Sequence, residues 1–388
     1  MRRIGIVILA LAALALASCA ARAAAVHEVP LILRHNNIFI DNVTLAGQGS
    51  YRAMIDTGST HNLVDLDLAK AQGLKPTGTI GVAATGGGME MPTFPADIIA
   101  VNGVPLMDAD MPLIGGPLRR ESAPIEQDMD LLLGYPLFRR WVVEMDFDKN
   151  VMRLHEPAQY TPPARAEAIP INLAINVPLI KSKVEDVSAN LMIDTGANSM
   201  VDLYPEFLVR SGLHKKHTTY RMPVYGLGGT VDSILMRIDA LELGAFTFNS
   251  MRVYAHAMGT FSSLIDGLIG TEIMRRFNVV FDYNHRIIYL TPNTHYADPW
   301  QEERAGLTAL HLGDEYVVVS VAEGSPAQIA GLQMADIIVS VDGRPAADVG
   351  ISGMRALVRQ DPGVSIAFTV DRDSEQKVIT IILEQYIK

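Results

Sequence analysis

The chain has 388 residues, of which 49% are apolar and 19% charged, with a formal net charge of −11 and a single cysteine. That length exceeds one ordinary core and points to two or three domains, while the composition excludes a disordered chain. An acidic balance without a Lys/Arg stripe excludes a nucleic-acid binder, and one cysteine excludes any disulfide within the chain.

At the amino terminus, Arg2 and Arg3 precede an unbroken apolar run from Ile4 to Ala17, followed by small residues. Charge, apolar core and small-residue cleavage site, in that order, predict a secretory signal over residues 1–25 that takes no part in the fold. The run is short for a bilayer-spanning helix, which needs about 20 apolar residues. Cys19 closes Leu16-Ala17-Ser18-Cys19, which resembles the bacterial lipobox. The resemblance implies acylation of Cys19 and an exported, periplasmic protein held at a membrane through it. Ordinary cleavage after Ala21-Arg22-Ala23 or Ala23-Ala24-Ala25 is the alternative.

From residue 26, short runs rich in Val, Ile, Phe and Tyr alternate with Gly, Pro, Asn and Asp, which predicts strands. The run Ala53-Met54-Ile55 leads into the turn Asp56-Thr57-Gly58-Ser59, and a short helix is expected over Asp65 to Gln72, stopped by Gly73. A glycine patch follows at Thr85-Gly86-Gly87-Gly88-Met89, then the apolar-Gly element Leu132-Leu133-Gly134 and paired strands around the Lys149-Asn150 turn. Residues 157–168 are Pro-rich and read as a linker. The same order then returns: Met192-Ile193 into Asp194-Thr195-Gly196-Ala197, a helix over Pro205 to Ser211 stopped by Gly212, and the patch Gly226-Leu227-Gly228-Gly229-Thr230 preceded by Tyr225. Leu268-Ile269-Gly270 and a strand pair around Asn284-His285 complete it. His214 and His217 read as a solvated helix end and not a metal site, since neither Cys nor clustered carboxylates accompany them.

After Pro299 the pattern changes. Strands are expected at Thr308 to His311, Tyr316 to Val321, Asp336 to Val341, Val364 to Val370 and Lys377 to Leu383. Helices are expected from Ser325-Pro326-Ala327 and over Val349 to Arg359. Residues 300–386, above all EGSPAQIAGLQMADIIVSVDG from Glu323 to Gly343, resemble a bacterial PDZ domain, with Ala335-Asp336 where that family has Gly-Asp. The resemblance implies an extended peptide, with a protein C-terminus as the partner, added to a sheet edge. Its carboxylate loop would be Arg304-Ala305-Gly306-Leu307, and its groove helix would present Ile351, Met354 and Arg355. Packing on the rest of the chain without any ligand is the alternative.

The returning order is a true repeat. Asp130 to Leu154 and Asp266 to Leu290 align without a gap, repeating Asp130, Gly134, Arg139, Arg140, Val143, Asp146 and Leu154. Two homologous lobes follow, 26–156 and 169–295. A lone Asp in a turn is usually only a hydrogen-bonding cap. Two of them at the ends of buried strands, with glycines that let backbone come close, can meet across a pseudo-twofold axis. Carboxylates that close share one proton, so one acts as base toward a water and the other as acid toward the carbonyl it attacks.

The two Asp-Thr-Gly turns and two apolar-Gly elements, over about Val29 to Asn293, resemble the aspartic peptidases of the pepsin and retropepsin clan. The resemblance implies a mainly β fold with two retropepsin- or pepsin-like barrel lobes forming one cleft. It implies polypeptide substrates, no cofactor and no metal, Asp56 and Asp194 as the catalytic pair, and Thr57 and Thr195 interlocked beneath it. One chain would suffice for the dyad. The lobes differ at the residue after the glycine, Ser59 against Ala197. The glycine patches would be flaps, with Tyr225 the candidate flap tyrosine, or plain hairpin tips. A degenerate cleft that only holds peptides, in an envelope scaffold protein, is the competing reading. There is no Gly-x-Ser-x-Gly elbow, and the sole cysteine lies in the leader segment, so no serine or cysteine nucleophile is indicated.

Overall fold

The computed structural model describes residues 26–84, 87–95, 98–108, 110–222, 224–226, 229–256 and 263–388. The predicted signal segment with Cys19, and Thr85, Gly86 and Gly228, lie outside the described residues. The fold is mainly β, as expected.

A six-stranded sheet joins the lobes. Its strands run in the order His27–Pro30, Val151–His155, Val142–Asp146, Phe277–Asp282, Ile287–Pro292 and Glu167–Pro170, so each lobe gives three in mirrored order. At the seam Val143, Glu144 and Met145 pair antiparallel with Phe281, Val280 and Val279. Alternation decides which side is buried: Val143, Met145, Met152, Leu154, Val279, Phe281, Ile288 and Leu290 all point inward. Asn150 takes a left-handed conformation (φ 53°) in the turn, a position Asn tolerates better than most residues.

In lobe 2, Leu179–Val184, Val187–Asp194, Gly267–Gly270, Val201–Leu203, Phe246–His256 and Ser233–Leu243 pair in that order. Lys183 and Val184 pair back onto Glu242 and Leu241, closing a six-stranded barrel. Lobe 1 follows the same path through Asn37–Leu45, Gln48–Ile55, Leu131–Leu133, Leu63–Asp65 and Leu113–Gly116. The predicted helices appear as Leu66–Ala71, where Asp65 accepts from Asp67 N and Leu68 N, and Pro205–Ser211, ended by left-handed Gly212.

One apolar core runs continuously through both lobes, from Ile38 and Leu133 to Ile193 and Leu290. Since each fully buried Val, Leu, Ile or Phe contributes about 1.5–3 kcal/mol, the lobes cannot separate without large loss and behave as one packing unit. The carboxy-terminal domain has its own core, including Val318, Ile338, Ile366 and Phe368. Its sheet runs Leu307–Leu312, Glu315–Val321, Ile337–Val341, Ser365–Arg372, Glu375–Ile382, which leaves Leu307–Leu312 at an edge. A helix, Ala346–Leu357, is broken at Gly350. Ala335 adopts φ 70°, so the residue that departs from the PDZ pattern holds the left-handed turn that a glycine would enter without steric cost.

Candidate active site

The strands Gln48–Ile55 and Val187–Asp194 end in the two Asp-Thr-Gly turns and bring them together. Behind each turn passes the apolar-Gly element. Leu132 and Leu133 pair parallel with Met54 and Ile55, and Leu268, Ile269 and Gly270 with Met192, Ile193 and Asp194. Asp56 N donates to Leu133 O at 2.9 Å, and Tyr135 N to Ser59 O at 2.9 Å. A Cβ on Gly134 would strike the carbonyls of Ser59 and His61, and one on Gly270 those of Ser199 and Ala197. The duplicated glycine is therefore the only residue that lets this strand support the turn.

Beneath the turns the lobes interlock. Thr57 N donates to Thr195 Oγ1 at 3.0 Å and Thr195 N to Thr57 Oγ1 at 3.0 Å; the hydroxyls donate across to Ile193 O at 2.7 Å and Ile55 O at 2.9 Å. Both threonines are fully buried. Above them, Gly58 N donates to Asp56 Oδ1 and Gly196 N to Asp194 Oδ1, each at 2.8 Å. Each glycine also lies against the other lobe's carboxylate: a Cβ on Gly58 would sit 2.6 Å from Asp194 Cγ, and one on Gly196 2.5 Å from Asp56 Cγ. The turns thus meet as a facing pair.

Densely packed protein surrounds both carboxylates, though a side of each stays open to the cleft. Burial pushes the Asp56 carboxyl up, opposed by the hydrogen bond it shares with Asp194 and by the backbone amides of its turn. Burial likewise raises Asp194, and the negative charge of Asp56 raises it further, to well above the usual carboxylate range, with Asp202 adding to the effect. The pair binds one proton more firmly than two isolated aspartates would.

The sequence model of the aspartyl protease family matches residues 42–137 and again 180–273, and that of the PDZ domain matches 300–383. The chain carries two aspartyl protease repeats followed by a PDZ domain. No curated protein matches it.

The aspartyl protease repeats are not equivalent around the dyad. Ser59 Oγ donates to His61 O at 2.8 Å and so turns away from Asp56, while Ala197 has only its amide to offer Asp194, at 3.2 Å. Three supports escape a motif reading. Asn62, buried, accepts from Gly134 N at 2.7 Å; Thr271 Oγ1 donates to Thr195 O at 3.0 Å; and burial near both aspartates holds the Tyr283 phenol protonated. Only Tyr283 carried a signal, as the aromatic counterpart of Phe147 in the aligned repeat.

The described residues of the glycine patches lie at the ends of paired strands. Gly78–Ala84 pairs with Gly87–Phe94 up to Ala84 opposite Gly87, placing Gly87 and Gly88 beside the turn, and Tyr225 and Gly226 pair with Thr230 and Gly229. In the PDZ domain the expected carboxylate loop needs correction as a free donor site. Ala305 N and Gly306 N already donate to Glu303 Oε1 at 2.8 Å, Leu307 N to the same carboxylate, and Arg304 points to the carbonyls of Arg359 and Gln360. The loop folds back on the residue that precedes it, an option a motif cannot display. Ile351 and Met354 are committed to the PDZ core and do not face a groove as expected. The expectation that no carboxylates cluster at His217 also fails: Glu185 Oε1 lies 2.5 Å from His217 Nε2, and with Asp239 these ligand atoms fall within 4.8 Å of one another. Glu185 comes from the turn after Leu179–Val184 and Asp239 from the middle of Ser233–Leu243, beyond the reach of local spacing.

Proposed function

We propose that this chain is an aspartic endopeptidase that hydrolyses polypeptides with water activated between Asp56 and Asp194. The observation that carries the reading is the facing of two buried-edge carboxylates across interlocked threonines, with glycine backbone against each. Asp56, ionised, takes a proton from the water; the water oxygen attacks the peptide carbonyl carbon and protonated Asp194 gives its proton to the carbonyl oxygen, forming a gem-diol; as the C–N bond breaks, the amine takes the proton held by Asp56 and Asp194 takes one back from a diol hydroxyl, which leaves the carboxylic acid and the singly protonated pair. The glycine hairpins serve as flaps over the bound chain in this reading, and the PDZ domain binds peptide or controls access.

Activity needs the pair singly protonated, so it falls when a second proton binds in acid and when the shared proton leaves at higher pH. Because the shared proton is held above an ordinary aspartate pKa of about 3.9, the alkaline limb is expected above that value. Turnover of an unfolded protein across pH 3 to 8, a window spanning carboxyl and histidine titration, tests the reading. A statine-type inhibitor should abolish it, and no turnover at any pH would leave only a peptide-holding cleft.

Export and lipid anchoring belong to the same proposal and rest on the Arg2-Arg3, apolar-run and Cys19 order. Mass spectrometry of the mature protein should find a diacylglyceryl-modified Cys19 as the first residue; an unmodified terminus near Ala24 refutes the anchor.

A further inference from the structure

A PDZ domain takes an extended peptide between an open edge strand and a helix, with backbone amides at one end for a carboxylate. Here that edge is Leu307–Leu312 and the helix is Ala346–Leu357. Neither end of the site is vacant. At the carboxylate loop the Glu303 side chain takes the amides of Ala305 and Gly306.

The other end is filled from lobe 1. The short turn Ala123–Ile125 lies against the edge strand, and it delivers Glu126, whose backbone is left-handed (φ 54°). Glu126 Oε2 accepts from Ile351 N at 2.8 Å, where the break at Gly350 has released that amide from the helix ladder. Glu126 Oε1 accepts from Tyr316 OH at 2.7 Å and lies 3.6 Å from Nδ1 of His311, whose ring stacks on Tyr316. One carboxylate so bridges the edge strand, its neighbour and the helix. His35, at the tip of a lobe 1 hairpin, adds a hydrogen bond to Ser352 Oγ at 2.7 Å. A side chain at Gly350 would collide with Glu126 Oε2, at 2.9 Å from its Cβ, so the glycine is matched to this contact.

We propose that lobe 1 is the PDZ domain's own ligand: Glu126, presented by the turn after Leu118–Ser122, occupies the peptide groove in cis, beside the lobe 2 contacts of Arg237 with Glu302 and of Leu235 with Tyr386 that also hold the domain on the protease lobes. An extended peptide with a free terminal carboxylate enters only by displacing Glu126 and Glu303, so peptide and Glu126 exclude each other and each weakens the other's binding by the same factor. The segment is wired to the cleft side of lobe 1. Arg119 N donates to Asp65 Oδ2 at 3.0 Å, and Leu118 packs in one cluster with Met54, on the strand leading to Asp56, and Met91, on the first glycine hairpin. The inference rests on the PDZ domain being a peptide-binding module and not on catalysis by the dyad, so the two can fail separately.

Hydrogen exchange read by mass spectrometry on the full chain tests it without any ligand. Glu126→Ala removes both accepting oxygens, and hydrogen bonds to a charged group of this kind correspond to about 10- to 100-fold in the docking equilibrium. Exchange should therefore rise about 10-fold or more in segments 118–127, 307–312 and 349–355, with the interlobe strands 142–155 unchanged. Unaltered protection of the two PDZ segments overturns the proposal. If Glu126→Ala loosens the whole chain, Tyr316→Phe decides: a smaller rise confined to the same segments supports docking through Glu126, and no rise there overturns it.

Discussion

Replacing Asp56 or Asp194 with Asn should abolish measurable peptide hydrolysis while leaving the fold intact. General acid–base catalysis contributes about 10²–10⁴-fold per role, and the proposed mechanism uses both aspartates as one shared-proton pair, so either single variant should lose nearly as much as the double. Full turnover by either variant sinks the mechanism. Stability gives an independent reading. Asp194 is held above its unfolded pKa, so the native state binds more protons than the unfolded one. The stability this brings is complete below the unfolded value of about 3.9 and is lost as pH rises through the folded value. At neutral pH the wild-type pair carries the cost of charge in a crowded site, which Asp194→Asn removes. The variant should melt at or above the wild-type temperature near neutrality, with that advantage vanishing in acid. Thermal melts across pH 4 to 8 would show it.

Thr57→Val should be the most damaging substitution outside the aspartates. It keeps the shape but removes a hydroxyl that donates to Ile193 O and accepts from Thr195 N. Two fully buried backbone groups lose their partners, at about 1–3 kcal/mol each, or roughly 2–6 kcal/mol in all. Against a typical total of about 5–15 kcal/mol this is severe. The rate should suffer as well, because the threonines set the separation of the lobes directly beneath the carboxylates, and a misplacement of about 1 Å can cost 10²-fold. Thr57→Ser retains the hydroxyl and should recover most of both. Urea midpoints and kcat measured on the two variants separate the roles; a Val variant as stable and as fast as wild type would mean that the interlock is not needed.

Much of this was legible because it is local. Asp56-Thr57-Gly58 and Asp194-Thr195-Gly196 end apolar strands, and the glycines of Leu132-Leu133-Gly134 and Leu268-Ile269-Gly270 fall at matching offsets, so the repeat carries its own check. Helix boundaries at Asp65 and Gly212 follow from caps written in adjacent residues. What stayed hidden depends on residues far apart in the chain. Asn62 meets Gly134, Glu185 meets His217, and Glu126 meets Ile351 only after strands have paired and domains have docked. Ser59 could be read as an asymmetry between the lobes, but its turn toward His61 could not, since a hydroxyl rotor answers to the acceptors around it.

By itself, then, the sequence determined the two-lobed β architecture, the paired aspartates and a separate domain after them, because periodicity, turn chemistry and an internal repeat act over a few residues at a time; the interlocked threonines and the PDZ fold came from the resemblance to known families. The tertiary structure alone decided the raised proton affinity of the dyad and the filled state of the PDZ groove. Both depend on what closes over a group from elsewhere in the chain: low-dielectric packing around two facing carboxylates in one case, and a carboxylate from lobe 1 reaching the amide freed at Gly350 in the other.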